Sequence, residues 1–269
     1  MKKYLLFFVG VCMAMNANAG VVLSDTSVSD GDYVQEESYS SSTGNNYYRG
    51  DLLSTDSSDP LFLVADNSFL SNTGVFYFDD IMNFGQSLAY GVNRVLAIYA
   101  NANYQLDFRH DRGNGFAATE FGGIYRMNEG DGPLQLMSDL IFGFRGGGSS
   151  HVKTPIYAKS SYFAGLRFGH QFTAVTLAST VKSTWVFDDT RGLSYINFMP
   201  EMYFRFKYDL RASIGADFRK STNKYLLSNQ EWMNFKLIRQ FGNTQYVANL
   251  GYEFEEEEYK VGMDIKILF

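Results

Sequence analysis

A chain of 269 residues, 45% hydrophobic, 19% charged and 17% aromatic, carries a formal net charge of -6. That length allows one large domain or two modest ones, and the acidic balance excludes the basic face that nucleic-acid binding requires. Beyond the N-terminus no run approaches the roughly twenty apolar residues of a membrane-crossing helix, so a helical bundle in a bilayer is excluded. The 24 Phe, 19 Tyr and 25 Gly favour strands and turns over helices.

Met1-Lys2-Lys3 is basic, Tyr4 to Met15 is a short apolar stretch, and Ala17-Asn18-Ala19 supplies small residues at the two positions that a signal peptidase reads. Residues 1–19 are therefore expected to be a secretory signal peptide, cut before Gly20. A permanent anchor would need a longer apolar run. The single Cys, Cys12, falls within the signal, and Val9 and Val11 fit a lipidation motif poorly. An exported chain without disulfides suits a bacterial envelope better than a stapled secreted domain.

Residues 20–59 hold Asp25, Asp30, Asp32, Glu36, Glu37, Asp51, Asp56 and Asp59 against Arg49 alone, so nearly all of the net charge belongs here. The stretch is also crowded with Ser, Thr, Asn and Gly, as in Ser38–Gly44. Such a composition buries too little apolar area to offset its ordering entropy. An acidic, Ser-rich, disordered N-terminal tail is expected, with a lumen plug or a partner-binding arm as the sharper alternatives.

From residue 60 to 269 the period is two. Tyr259, Val261, Met263, Ile265, Ile267 and Phe269 share one face, while Lys260, Gly262, Asp264, Lys266 and Leu268 share the other. An amphipathic helix would repeat its apolar positions at three and four. The same alternation runs through Tyr246–Phe254, Leu210–Phe218, Ile196–Phe206, Leu134–Phe144 and Leu96–Phe108. Twelve strands are expected, at approximately 68–79, 83–92, 95–108, 116–127, 134–145, 158–170, 173–187, 194–207, 210–220, 229–240, 243–254 and 258–269. Phe76, Tyr77 and Phe78 blur the facing of the first.

Soluble strands average about five or six residues, whereas a tilted strand crossing a bilayer needs about 9–11. Glycines fall on the polar face (Gly91, Gly122, Gly143, Gly165, Gly215, Gly251, Gly262), and bulky apolar side chains fill the other. That arrangement suits lipid outside and water inside. A soluble lipocalin-like barrel would place its bulky apolar side chains inward, where room is limited. Turns after alternate strands are short (Asn93-Arg94, Tyr208-Asp209, Gly242), and the opposite set is generally longer and polar (110–115, 146–157, 188–192, 221–228), which places the short turns in the periplasm.

With these features the chain resembles the outer-membrane β-barrels of Gram-negative bacteria, over the signal peptide and residues 60–269. The resemblance implies an all-β transmembrane antiparallel barrel in the bacterial outer membrane. It also implies that the last strand, through Tyr259, Ile265, Ile267 and Phe269, carries the signal read by the barrel-assembly machinery, with periplasmic chaperones and outer-membrane lipid as further partners. Asp59-Pro60-Leu61-Phe62-Leu63 resembles a lead-in segment of porin-like proteins.

The inward positions include Arg126, Arg145, Arg167, Lys182, Arg205, Lys207, Arg211, Arg219 and Lys236, with Lys260 and Lys266, interleaved with Asp107, Glu120, Asp139, Glu201, Asp217, Glu253 and Asp264. Buried charges persist only where water or partners solvate them. Two readings stand: a wet pore for small polar or anionic solutes, or an interior ion-pair network that closes the barrel. The basic run resembles, loosely, the arginine-lined lumens of twelve-stranded oligogalacturonate porins.

Enzymatic alternatives find little support. Outer-membrane phospholipase A is a twelve-stranded barrel with a Ser–His–Asn arrangement, but only His110, His151 and His170 occur here, and Ser149-Ser150-His151 lies in a Gly-rich loop. Three scattered His give no transition-metal site, Glu255–Glu258 reads as a solvated turn, and no nucleotide-binding fingerprint occurs. No catalytic residue, metal or cofactor is expected. An autotransporter translocator would need a longer passenger before the barrel.

Overall fold

The computed structural model describes residues 56–78, 80–108, 114–117, 119–130, 136–148, 160–187, 194–222, 229–255 and 257–269. The expected signal peptide, the tail up to residue 55, His110, His151 and most of the long loops lie outside these residues.

The strands are β1 (Phe69–Phe78), β2 (Ile81–Asn93), β3 (Leu96–Asp107), β4 (Gly115–Phe116), β5 (Glu120–Glu129), β6 (Met137–Arg145), β7 (Ser161–Gln171), β8 (Val175–Val186), β9 (Tyr195–Arg205), β10 (Leu210–Ser221), β11 (Gln230–Phe241), β12 (Thr244–Glu253) and β13 (Tyr259–Leu268). β4 is a brief pairing onto the outer end of β3. The other twelve pair antiparallel with their sequence neighbours, and β1 pairs with β13, closing the sheet into a twelve-stranded barrel. The backbone of Phe269 completes the seam, its amide donating to Phe69 O (2.8 Å) and its carbonyl accepting from Phe69 N (3.0 Å). Closure leaves no unpaired edge, as hydrocarbon surroundings demand.

The alternation fixes which side is which. Phe84, Leu88, Ile98, Phe121, Phe142, Leu166, Phe198, Ile214, Phe235 and Leu250 all stand on the outer surface. Large aromatic residues gather at both rims: Phe172, Phe206, Tyr208, Phe241 and Phe269 at the short-turn end, and Phe108, Phe116, Phe187, Phe254 and Tyr259 at the long-loop end. A soluble protein would not display so continuous an apolar belt, whereas a transmembrane barrel has this band and these girdles. Three polar side chains on the belt satisfy one another: Thr73 Oγ1 donates to Gln86 Oε1 (2.5 Å) and Gln86 Nε2 to Ser71 Oγ (3.1 Å).

Pairing resolves the first strand. Phe76 faces Gly262 and Gly74 faces Asp264 across the β1–β13 seam, so Phe76 and Phe78 point inward and Tyr77 outward. A Cβ on Gly262 would lie 2.8 Å from the Phe76 Cβ, and the missing side chain makes room for the ring.

Candidate functional site: the barrel lumen

Residues 56–65 precede the first strand and lie inside the barrel, across its short-turn end. Asp56, Ser57, Ser58, Asp59, Leu61, Phe62, Leu63 and Val64 are all buried. The sequence of this segment divides in two at Pro60, and so do its contacts.

The acidic half faces the wall made by β8 to β13. Asp59 N donates to Asp56 O and Phe62 N to Asp59 O, both at 3.0 Å, so the chain runs through consecutive turns. The Asp56 carboxylate accepts from Arg211 Nε (3.0 Å), Tyr203 Oη (2.7 Å) and Gln245 Nε2 (3.0 Å). Asp59 accepts from Thr176 Oγ1 and its own Leu61 amide (2.7 and 2.8 Å), and forms an ion pair with Arg205. Arg205 Nε also lies 3.6 Å from Asp56, so one guanidinium serves both carboxylates. Ser58 Oγ donates to Gln245 Oε1 (2.6 Å), and Lys266 Nζ to the Ser57 carbonyl (3.2 Å). Burial pushes the Asp59 carboxyl up, against the pull of its hydrogen bonds and of Arg205.

The apolar half faces the opposite wall, where the strict alternation breaks. Phe62, Leu63 and Val64 pack on Ala97, with Leu70, Ala89, Ile124 and Leu268 around them, and Leu61 packs on Met137 and Ala178. The free carbonyls of Leu61 and Phe62 accept from Arg126 and Arg167. Both arginines pair with the fully buried Asp139. Two cations around one carboxylate leave donors over for the segment, which lacks a strand partner for its own carbonyls.

Residues 65–68 tether the segment to β2. Asn67 N donates to Gly91 O (2.9 Å) and Gly91 N to Ser68 O (3.0 Å). A Cβ on Gly91 would come within 1.8 Å of Ala65 O, so only glycine admits this approach.

Above the segment a cavity of about 290 Å³ is lined by Pro60, Tyr99, Ile124, Ile141, Arg167, Ala178, Thr180, Lys182, Met199 and Glu201. Lys236 Nζ pairs with Glu201 at 2.8 Å, and Lys182 stands over the Phe163 ring. Nearer the long-loop end, Arg145 pairs with Glu120 (2.6 Å), which also accepts from Tyr99 Oη (3.1 Å). There Arg219 covers the Tyr195 ring, and Lys260 lies over Trp232.

Arg126, Arg145, Arg167, Lys182, Arg205, Arg211, Arg219 and Lys236 thus all belong to the inner wall, those nearest the short-turn end holding the segment. Lys207 does not. β9 ends at Arg205, where Phe206 N closes the turn onto Leu210 O (2.9 Å) and Tyr208 and Asp209 take positive φ, leaving Lys207 exposed in the turn. Of the assembly-signal positions, Tyr259 and Phe269 are exposed on the outer rims, and Ile265 and Ile267 share the outward face of β13. Sequence reading missed Thr176, Tyr203 and Gln245, which carry no charge, and left Asp56 and Asp59 in the tail. One signal was available: Leu61-Phe62-Leu63-Val64 is a continuous apolar run in a chain whose strands alternate.

No protein-family model matches the chain, and no curated protein matches it. Solved structures do. The KdgM porin in complex with disordered oligogalacturonate aligns with a TM-score of 0.57 at 12% identity, covering 74% of this chain and 98% of that one. An outer-membrane channel from Pseudomonas putida F1 gives 0.56 at 9% identity over 77% and 97%, and the NanC porin 0.56 at 10% over 74% and 98%. The chain shares the fold of these outer-membrane channels.

Proposed function

We propose that this chain is an outer-membrane channel for the passive passage of small polar or anionic solutes, set in the membrane with its short turns toward the periplasm. The carrying observation is the inner wall. Its charged side chains run from the Arg145–Glu120 pair through Lys182 and Lys236 to the arginines at the short-turn end. Basic groups outnumber acidic ones along this path, and Asp56 and Asp59 offset part of the excess. Such a lining conducts when water fills it and favours anions. No covalent catalysis is proposed.

A second reading, a closed structural barrel, is favoured by the buried segment across the short-turn mouth. Planar-bilayer recording of the chain starting at Gly20, beside a version lacking residues 20–65, separates the two. Ion steps that grow when the segment is removed support the channel; silence in both supports the closed barrel. Phospholipid hydrolysis by the purified protein would instead support an enzyme. Outer-membrane lipid, the barrel-assembly machinery and periplasmic chaperones are the partners proposed with this reading. Tyr259, Ile265, Ile267 and Phe269 are proposed as the assembly signal, so Phe269→Ala should lower the amount of folded protein in membranes.

A further inference from the structure

The short-turn end of the lumen holds two carboxylates met mainly by donors of the barrel wall, with the segment's own Leu61 amide adding one bond to Asp59 (2.8 Å). Asp56 sits among the Arg211 guanidinium, the Tyr203 hydroxyl and the Gln245 amide; Asp59 sits between Arg205 and the Thr176 hydroxyl. Each of these donors belongs to the barrel wall and converges on a carboxylate oxygen. Arg205 reaches both acids, so the two sites adjoin. Nothing in this donor set is specific to a peptide: a free solute with two nearby carboxylates meets the same arginines, hydroxyls and amide.

The two halves of the segment are held by different forces. Leu61–Val64 are fixed by apolar packing, by the tether at Gly91 and by Arg126 and Arg167 on the carbonyls of Leu61 and Phe62; a small anion does not reproduce the packing or the tether. Asp56–Asp59 are held by charge and hydrogen bonds, which it does reproduce. Pro60 stands between them, and Asp59 before it is biased to an extended backbone. Loss of the acidic contacts therefore frees one half while the other stays anchored.

We propose that residues 56–59 are a built-in competitor of the transported solute: Asp56 and Asp59 occupy two adjoining carboxylate subsites, and a short dicarboxylate displaces them and opens the short-turn mouth. This rests on the channel reading above and adds to it a ligand class and a solute-controlled exit.

The test uses the chain from Gly20, which has no cysteine, carrying Ser58→Cys. Ser58 is 7% exposed, so labelling by an uncharged water-soluble maleimide is slow while the segment is seated. Succinate, glutarate and adipate are titrated at constant ionic strength against sodium chloride and acetate. The expected result is labelling faster by about tenfold or more with at least one dicarboxylate and not with chloride or acetate, the response expected when ligand binding shifts a seated majority. Asp56→Ala with Asp59→Ala, checked for folding by the heat-dependent gel shift of an intact barrel, should label fast without dicarboxylate and gain nothing from it. Conductance is recorded in parallel. Unchanged labelling with every dicarboxylate, or equal acceleration by chloride, overturns the proposal even if the barrel conducts. Accelerated labelling in a barrel that never conducts overturns the channel reading and the exit, and leaves the two subsites.

Discussion

A carboxylate sealed from solvent persists only while cations face it, and Asp139 is the clearest case in this barrel. It is fully buried between Arg126 and Arg167, which pass their remaining donors to the carbonyls of Leu61 and Phe62. Removing one partner of such a pair strands the others, at a cost of about 3–5 kcal/mol. Asp139→Ala should lower unfolding stability by that order, read as a shift of the urea midpoint in detergent or vesicles. Asp59 makes a different statement about pH. Its carboxyl is raised first by burial, with Asp56 adding repulsion, against the opposing Thr176, Leu61 and Arg205 contacts. A carboxyl whose docked value exceeds its free value binds protons more readily when docked. Its contribution to docking is therefore present at low pH and lost as pH rises through the docked value. Labelling of Ser58→Cys, divided at each pH by the rate of a free thiol because only the thiolate reacts, should accordingly be no faster at about pH 5 than at about pH 7.5; a faster ratio in acid would mean that another group controls release.

At the scale of elements, the long strands were legible because each side chain reports its solvent. Tyr259 to Phe269 alternates without a break, and β13 covers Tyr259–Leu268 with the same facing. Ambiguity arose where both faces were apolar: Phe76, Tyr77 and Phe78 read alike until pairing with Gly262 set the register. The lead-in segment was legible only in part. Composition cannot tell an aspartate in water from one facing an arginine far along the chain, and Asp59 and Arg205 are 146 positions apart. Lys207 failed for a related reason, since alternation continues on paper past the residue at which the turn closes. The tether offers a test at this scale. Gly91→Val places side-chain atoms where Ala65 O now lies and should unseat residues 65–68, while β2 and β3 keep their pairing. Faster labelling of Ser58→Cys in that background, with the gel shift of a folded barrel retained, is the expected outcome.

For the molecule as a whole, the partition of side chains between lipid and lumen sets which substitutions are tolerated. Phe235 and Asn234 are neighbours in the middle of β11, one outside and one inside. Phe235→Arg puts a charge against acyl chains near the bilayer midplane and should cost about 2–4 kcal/mol, measured by denaturation from vesicles, whereas Asn234→Arg meets a lumen already lined with ions and should cost much less. The position of the lead-in segment carries a consequence for biogenesis. It is synthesised before every strand, and its binding surfaces come from β1 to β3, β5 to β10, β12 and β13, so its receptor is incomplete until the seam between β1 and β13 has zipped. The first part of this region to be made is therefore the last to find its place. A refolding barrel should therefore pass through a stage with its short-turn end unstoppered, in which a protease supplied from that side clips residues 56–65, while the folded protein protects them.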